Sequence, residues 1–295
     1  MQKIIYFFLA GMLLLQGCKL NDVSNPDEAK INENEQIIQQ YITANNLQMQ
    51  TTNSGLRYAI TYVSPQGKAP QKGDQIVMSY VGKLTNGTVF DTALVDPNRF
   101  LRFPFNVNAT KPVGLDEMAG YMKAGDSAKA ILPFYLGLGR DTFVIKGNTI
   151  PAYSVLVFDL KLVAVQTETE ALQDYLNRKS IPANRVKTTA SGLRYYFTET
   201  NTTATPVNGK RTVTVKYKGM FLDGSVFDQT VDDRTATFEI NRLVSGFSEG
   251  LNLMRVNEKA VLLLPSNLAY KETGSYPKIP PYSPLVFEVT VVSAQ

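Results

Sequence analysis

The sequence predicts an α+β fold built twice in tandem. Three observations carry that reading. The chain repeats itself once, each copy holds alternating strand-like runs beside a hairpin turn, and each copy has a single short amphipathic helical segment.

The repeat is direct. Ser54-Gly55-Leu56-Arg57-Tyr58 recurs as Ser191-Gly192-Leu193-Arg194-Tyr195, 137 residues on. Tyr80-Val81-Gly82 recurs as Tyr217-Lys218-Gly219, and Asn86–Asp91 as Asp223–Asp228, at the same offset. The offset then falls to 132 for Gly114 and Gly246, Glu117 and Glu249, Met122 and Met254, and Pro133 and Pro265. It falls again to 129 for Ile150-Pro151 with Ile279-Pro280 and for Leu156-Val157-Phe158 with Leu285-Val286-Phe287. The first copy therefore carries insertions around Asp96–Ala109 and Arg140–Asn148. Insertions confined to two places fit loops on a shared scaffold. A length of 295 residues agrees with two domains at about 150 residues each.

The elements follow in order. Ile4–Leu15 is an uncharged apolar run of 12 residues behind Lys3. It is shorter than the roughly 20 residues a spanning helix needs and suits a signal-peptide core over residues 1–17. It ends in Leu15-Gln16-Gly17-Cys18, which resembles a bacterial lipobox; the resemblance implies cleavage before Cys18 and lipidation of that residue. Asn21–Asp27 is polar and reads as a tether. Ala29–Ala44 spaces Ile31, Ile37, Ile38, Tyr41 and Ile42 as a helix, with Asn45-Asn46 as its stop, closing a tether-and-helix segment over 18–50. The first domain is expected over 51–166. A linker helix is expected within 167–189, where Thr167 and Glu170 form a capping-box pair ahead of Leu172, Tyr175 and Leu176. The second domain is expected over 190–295. In it Val213–Tyr217 alternates as a half-buried strand, and Asp223-Gly224 (Asn86-Gly87 in the first copy) predicts a two-residue type I′ hairpin. Phe247–Met254 reads as the short helix, and Lys259–Leu264 and Leu285–Val292 as strands. Four or five antiparallel strands per copy are expected, curved around the helix.

Composition removes several kinds of chemistry. With no His, the chain has no Ser-His-Asp or Cys-His pair and no His-ligated zinc. With one Cys it has no disulfide framework and no CxxC metal or redox site. A net charge of +4 without a basic block does not point to nucleic acid.

One family resemblance covers about 85 residues of the second copy. Tyr217-x-Gly219, Asp223–Asp228, Gly246-Phe247-x-Glu249-Gly250-Leu251, Met254, Leu264-Pro265, Leu268-Ala269-Tyr270, Ile279-Pro280-Pro281 and Leu285-Val286-Phe287 resemble, in order and spacing, the FKBP-type peptidyl-prolyl isomerase domain. The whole chain is similar to two-domain FKBP lipoproteins of the Bacteroidetes.

The resemblance implies the site. Tyr217, Phe227, Val244, Phe247, Ile279 and Phe287 line an apolar pocket. Asp228 stands at its rim, oriented by Tyr217, and Tyr270 offers a hydroxyl to a substrate carbonyl. No cofactor or metal is implied. Proline-containing polypeptides are the implied clients, with weak macrolide binding as a further implication. Two positions depart from the family: Phe247 stands where a Trp is usual, and Ala236 where a rim aromatic is expected. The first copy departs further. It keeps Tyr80, Phe90, Asp91, Ile150 and Phe158 but has Leu115 at the floor, Leu138 at the tyrosine position and Pro112 in place of Val244. Its pocket is expected to be degenerate, and its insertions to reshape or cover it.

Two functions remain in competition at this point. One is a membrane-anchored prolyl isomerase that assists folding of exported proteins, with catalysis mainly in the second domain. The other is a lipid-anchored chaperone or peptide-binding adaptor with weak turnover. Lys19–Asp22 carries no dense acidic run, so the reading is an outer-membrane lipoprotein facing the periplasm, with the cell surface as the alternative.

Overall fold

Residues 26–94, 96–110 and 112–295 are described by the structure, a computed structural model; the signal-like run and Cys18 lie outside them. Helix α1 (Pro26–Ala44) opens the described chain. It starts ahead of the expected Ala29 because a first-turn Pro has its φ preset and needs no N–H partner. The first repeat then runs β1 (Gln50–Thr51), β2 (Arg57–Tyr62), β3 (Gln75–Leu84), β4 (Val89–Ala93), β5 (Leu101–Pro104), α2 (Gly114–Ala119), β6 (Ser127–Leu132), the hairpin β7 (Phe143–Ile145) and β8 (Asn148–Ile150), and β9 (Leu156–Gln166). Helix α3 (Glu168–Arg178) follows. The second repeat runs β10 (Lys187–Thr188), β11 (Arg194–Glu199), β12 (Thr212–Met220), β13 (Val226–Gln229), β14 (Ala236–Glu239), α4 (Ser245–Asn252), β15 (Lys259–Leu264) and β16 (Leu285–Ala294).

The two sheets have the same topology. The first is ordered β1-β2-β6-β9-β3-β4 and the second β10-β11-β15-β16-β12-β13, with β5 and β14 pairing the free stretches of β3 and β12. Each is seven-stranded and antiparallel, more than the four or five strands expected. The difference lies in two-residue edge strands and short strands after the hairpins, too short to show a period.

The hairpin turns also differ from expectation. Gly87 and Gly224 have φ of +89° and +90°, but neither Asn86 nor Asp223 has positive φ, so the turns are not type I′. Gly87 N–H bonds Leu84 O and Leu84 N–H bonds Thr88 O, as in a type I turn closed by a glycine bulge. Asn86 Oδ1 and Asp223 Oδ1 each accept the N–H two residues on, which favours that turn.

Helix α4 presses Phe247 and Leu251 into the second core, and Met254 is buried just beyond the helix end, two residues earlier than the expected segment closes. The outer faces are covered by the other helices. α1 seats Ile38 against Ile131, Val155 and Val157. α3 seats Ala171, Leu172, Tyr175 and Leu176 against Tyr196, Met220, Leu222, Val261, Leu263 and Val286. Both arms of the Thr167–Glu170 capping box are formed. Polar contacts also anchor each helix, one of them at an equivalent place in the two repeats. Buried Asn34 donates to Tyr153 O and accepts from Phe134 N–H, both at 2.9 Å. Glu168 accepts from Ser266 N–H and Oγ at 2.7 and 2.5 Å. So each helix clamps the turn that follows the strand over its repeat's pocket helix.

The repeats touch. Gln75 Nε2 donates to Tyr282 O at 2.9 Å, and Arg102 meets Asp174 of α3 at 3.4 Å.

Candidate active site

The second-repeat site is a cup of aromatic rings. Phe247, at the first turn of α4, stacks on Phe287 of β16 with centroids 4.6 Å apart. Phe227 of β13 meets the Phe287 ring edge-on at 5.7 Å. Tyr217 of β12 sits 6.3 Å from Phe247. Gly219 makes this possible: a Cβ there would lie 2.6 Å from Phe227 Cζ and 3.1 Å from Phe287 Cε1. The Tyr-x-Gly spacing is thus a packing requirement, since strand alternation puts both positions on the pocket face. Ile279 is buried, and Val244 is half-buried just ahead of α4.

The wall is completed by a residue the sequence reading passed over. Phe238 of β14 packs edge-on against Tyr217 at 5.7 Å. Ala236, paired with Val215, leaves its own position without an aromatic as expected, while Phe238, paired with Val213, lies two residues along the same strand. The signal available was the Ala236-Thr237-Phe238 alternation, whose phase only the register decides.

Polar groups are few and directed. Tyr217 donates its phenol to Asp228 Oδ2 at 2.6 Å. Burial, then the Asp228 hydrogen bond, push the Tyr217 phenol well above its ordinary range. Asp228 itself is exposed at the mouth. Tyr270 is half-buried, and burial and the nearby Asp228 charge raise its phenol too. Its hydroxyl has no partner among the described residues, while its carbonyl is taken by Gly274 N–H and Thr273 Oγ1. The backbone of Tyr270 is therefore held while its hydroxyl remains available.

The first repeat assembles the same positions into a buried site with an aliphatic floor. Phe90 and Phe158 meet edge-on at 5.8 Å, and Tyr80 meets Phe158 at 5.9 Å. Leu115 and Ile150 are buried, and Leu138 packs against the same core. Tyr80 donates to Asp91 Oδ2 at 2.5 Å, as in the second repeat. The difference is the β7–β8 insertion. Its Ile145 packs on the core, and its Lys146 pairs with Asp91. Burial pushes the Asp91 carboxyl up, but bonds from Lys146, Tyr80 and Thr92 N–H, with the Lys146 charge, hold it below the usual carboxylate range. Pro112 also removes the backbone N–H that Val244 keeps.

The family model described as FKBP-type peptidyl-prolyl cis-trans isomerase matches residues 66–163 and 203–292. The chain belongs to the FKBP family. Among its FKBP relatives, a probable FkpA of Neisseria meningitidis is 41% identical over 108 residues, covering 36% of this chain and 39% of that protein. The FKBP-type 22 kDa peptidyl-prolyl cis-trans isomerase of Escherichia coli is 41% identical over 108 residues, covering 36% of this chain and 52% of that protein. Human peptidyl-prolyl cis-trans isomerase FKBP10 is 27% identical over 228 residues, 75% of this chain and 34% of its own length. The crystal structure of FkpA from Escherichia coli is 32% identical with a TM-score of 0.38, covering 43% of this chain and 59% of that one. The chain thus spans only part of the length of the FKBP relatives it matches.

Proposed function

We propose that this protein is a peptidyl-prolyl cis-trans isomerase whose second repeat catalyses and whose first repeat does not. The observation that supports it is the aromatic cup of Tyr217, Phe227, Phe238, Phe247 and Phe287, with the free Tyr270 hydroxyl above it.

Rotation about X–Pro is opposed by a barrier of about 18–20 kcal/mol, because the planar amide must lose its resonance. No bond breaks, so no nucleophile is needed, and the lack of His is no obstacle. The planar amide is dipolar and well hydrated. A dry ring-lined pocket holds the proline and withholds that hydration, which favours the twisted form. The Tyr270 hydroxyl and the Val244 N–H donate to carbonyls of the flanking chain and fix its direction. Asp228, pinned by Tyr217, places a carboxylate at the mouth beside the carbonyl carbon, whose positive character grows as resonance is lost. Each tenfold in rate requires only about 1.4 kcal/mol of preference for the twisted form.

The aliphatic floor of the first repeat and its Lys146–Asp91 pair support a binding or spacing role there. The chaperone or adaptor reading of the whole protein rests on Phe247 replacing a larger floor ring. For placement, the apolar run ending at Cys18 supports an outer-membrane lipoprotein that assists folding of exported proteins on the periplasmic side. Loss of detergent-phase partitioning in Cys18→Ser tests the anchor.

The test of catalysis is a protease-coupled proline-peptide assay on the full chain and on Phe227→Ala. Acceleration by the native protein and its loss in the variant support the reading. No acceleration by the native protein, together with protection of an unfolding client from aggregation, replaces it with the chaperone reading.

A further inference from the structure

The loop that carries Tyr270 and Ile279 leans on the first repeat. Gln75, itself buried, donates through Nε2 to Tyr282 O at 2.9 Å and to Gly73 O at 3.0 Å. Gly73 has φ +86°, and a Cβ there would lie 2.9 Å from the Tyr282 ring. Only a glycine combines that conformation with so close an approach.

Facing this loop is the first insertion of the first repeat, and its shape is set. Buried Asp116 accepts the backbone N–H groups of Asn106, Val107 and Asn108 at 2.7, 3.1 and 2.8 Å. Three N–H groups on one buried carboxylate fix the segment's path. Between the two walls runs a cleft of about 660 Å³, with Val107, Ala109 and Thr110 on one side and Tyr276, Ile279 and Pro281 on the other. Clefts of this size at domain junctions are common binding sites. None of the residues described as lining it is charged. Ile279 belongs to both places: it lines this cleft and packs into the core that holds Phe247 and Phe287.

We propose that the cleft holds the uncharged residues flanking the proline of an extended polypeptide client. The first repeat, closed at its own pocket, then forms one wall of the second repeat's client site. The proposal rests on the isomerase reading of that pocket. Remote binding of this kind raises efficiency for long substrates and leaves short ones untouched.

The test compares two substrates of the full chain with the same X–Pro bond. One is a tetrapeptide; the other carries about six apolar residues on each side. Ala109→Trp fills the cleft, and Val107→Glu places a charge in it; matched thermal unfolding confirms that each variant is folded. In both, kcat/KM for the long peptide is expected to fall by at least about fivefold, with the tetrapeptide within about twofold of the native value. Equal effects on the two substrates, or no effect on the long one, overturn the proposal. If the native protein turns over neither substrate, the isomerase reading has failed by itself. Fluorescence anisotropy of the labelled long peptide then decides the cleft: weaker binding in the variants supports it, and unchanged or absent binding overturns it.

Discussion

Lys146 pairs with Asp91 across the mouth of the first repeat's pocket, at the position where Asp228 of the second repeat meets no lysine among the described residues. One insertion thus separates two sites that share a Tyr–Asp hydrogen bond and a pair of edge-on rings. The hairpin that brings Lys146 also brings Ile145 onto the core, so charge and apolar surface close the site together.

Lys146→Met is expected to cost less than about 1 kcal/mol at neutral pH, because the ammonium is half exposed. The Asp91 carboxyl is held below its ordinary range, so the pair's contribution is present above about pH 4, the unfolded carboxylate value. It is lost as pH falls through the folded value. Urea unfolding of the native protein and the variant at pH 7 and pH 3 checks this. A gap that widens on acidification contradicts the pairing.

Tyr270→Phe removes a hydroxyl that bonds nothing in the described fold. Turnover is expected to fall by about three- to tenfold, the worth of one hydrogen bond, with the thermal transition nearly unmoved. Because the Tyr270 and Tyr217 phenols are both raised, kcat/KM should stay flat from about pH 6 to 9. A large stability loss in the variant indicates a structural tyrosine instead.

Phe247→Leu imposes the first repeat's floor on the second. It removes the 4.6 Å stack on Phe287, which is worth about 0.5–1.5 kcal/mol beyond buried area. A loss of about tenfold in kcat/KM is expected. Unchanged turnover on a proline tetrapeptide shows that the floor ring is dispensable.

Asn34→Ala leaves Tyr153 O and Phe134 N–H without their buried partner. Each orphaned group costs about 1–3 kcal/mol, so the variant should lose roughly 2–6 kcal/mol by denaturant unfolding. A loss below about 1 kcal/mol indicates that water replaces the amide.

The grouping of the candidate site's residues was largely legible in the chain. Tyr217, Phe227, Asp228, Phe247, Tyr270 and Phe287 come together in the second repeat. The repeat showed which of their counterparts had changed. Phe238 was legible only as the same-face neighbour of Ala236; that its ring meets Tyr217 depends on the β12–β14 register. The turn type was missed for a related reason: Asn-Gly serves both a type I′ turn and a type I turn with a glycine bulge, and the flanking ladder selects between them.

The sequence by itself determined the duplication, the α+β class and the main strand and helix faces, because these rest on local periodicity and on residue types repeated at a fixed offset; the ring-lined pocket was implied by the family resemblance. Only the tertiary structure decided what the insertions do. One swings Lys146 onto Asp91, and the other, tied to Asp116, walls a cleft beside Ile279. The Asp116 contacts span only eight to ten positions, but the Lys146–Asp91 pair spans 55, and the cleft sets Val107 against Ile279 of the other repeat, where no local pattern links the partners.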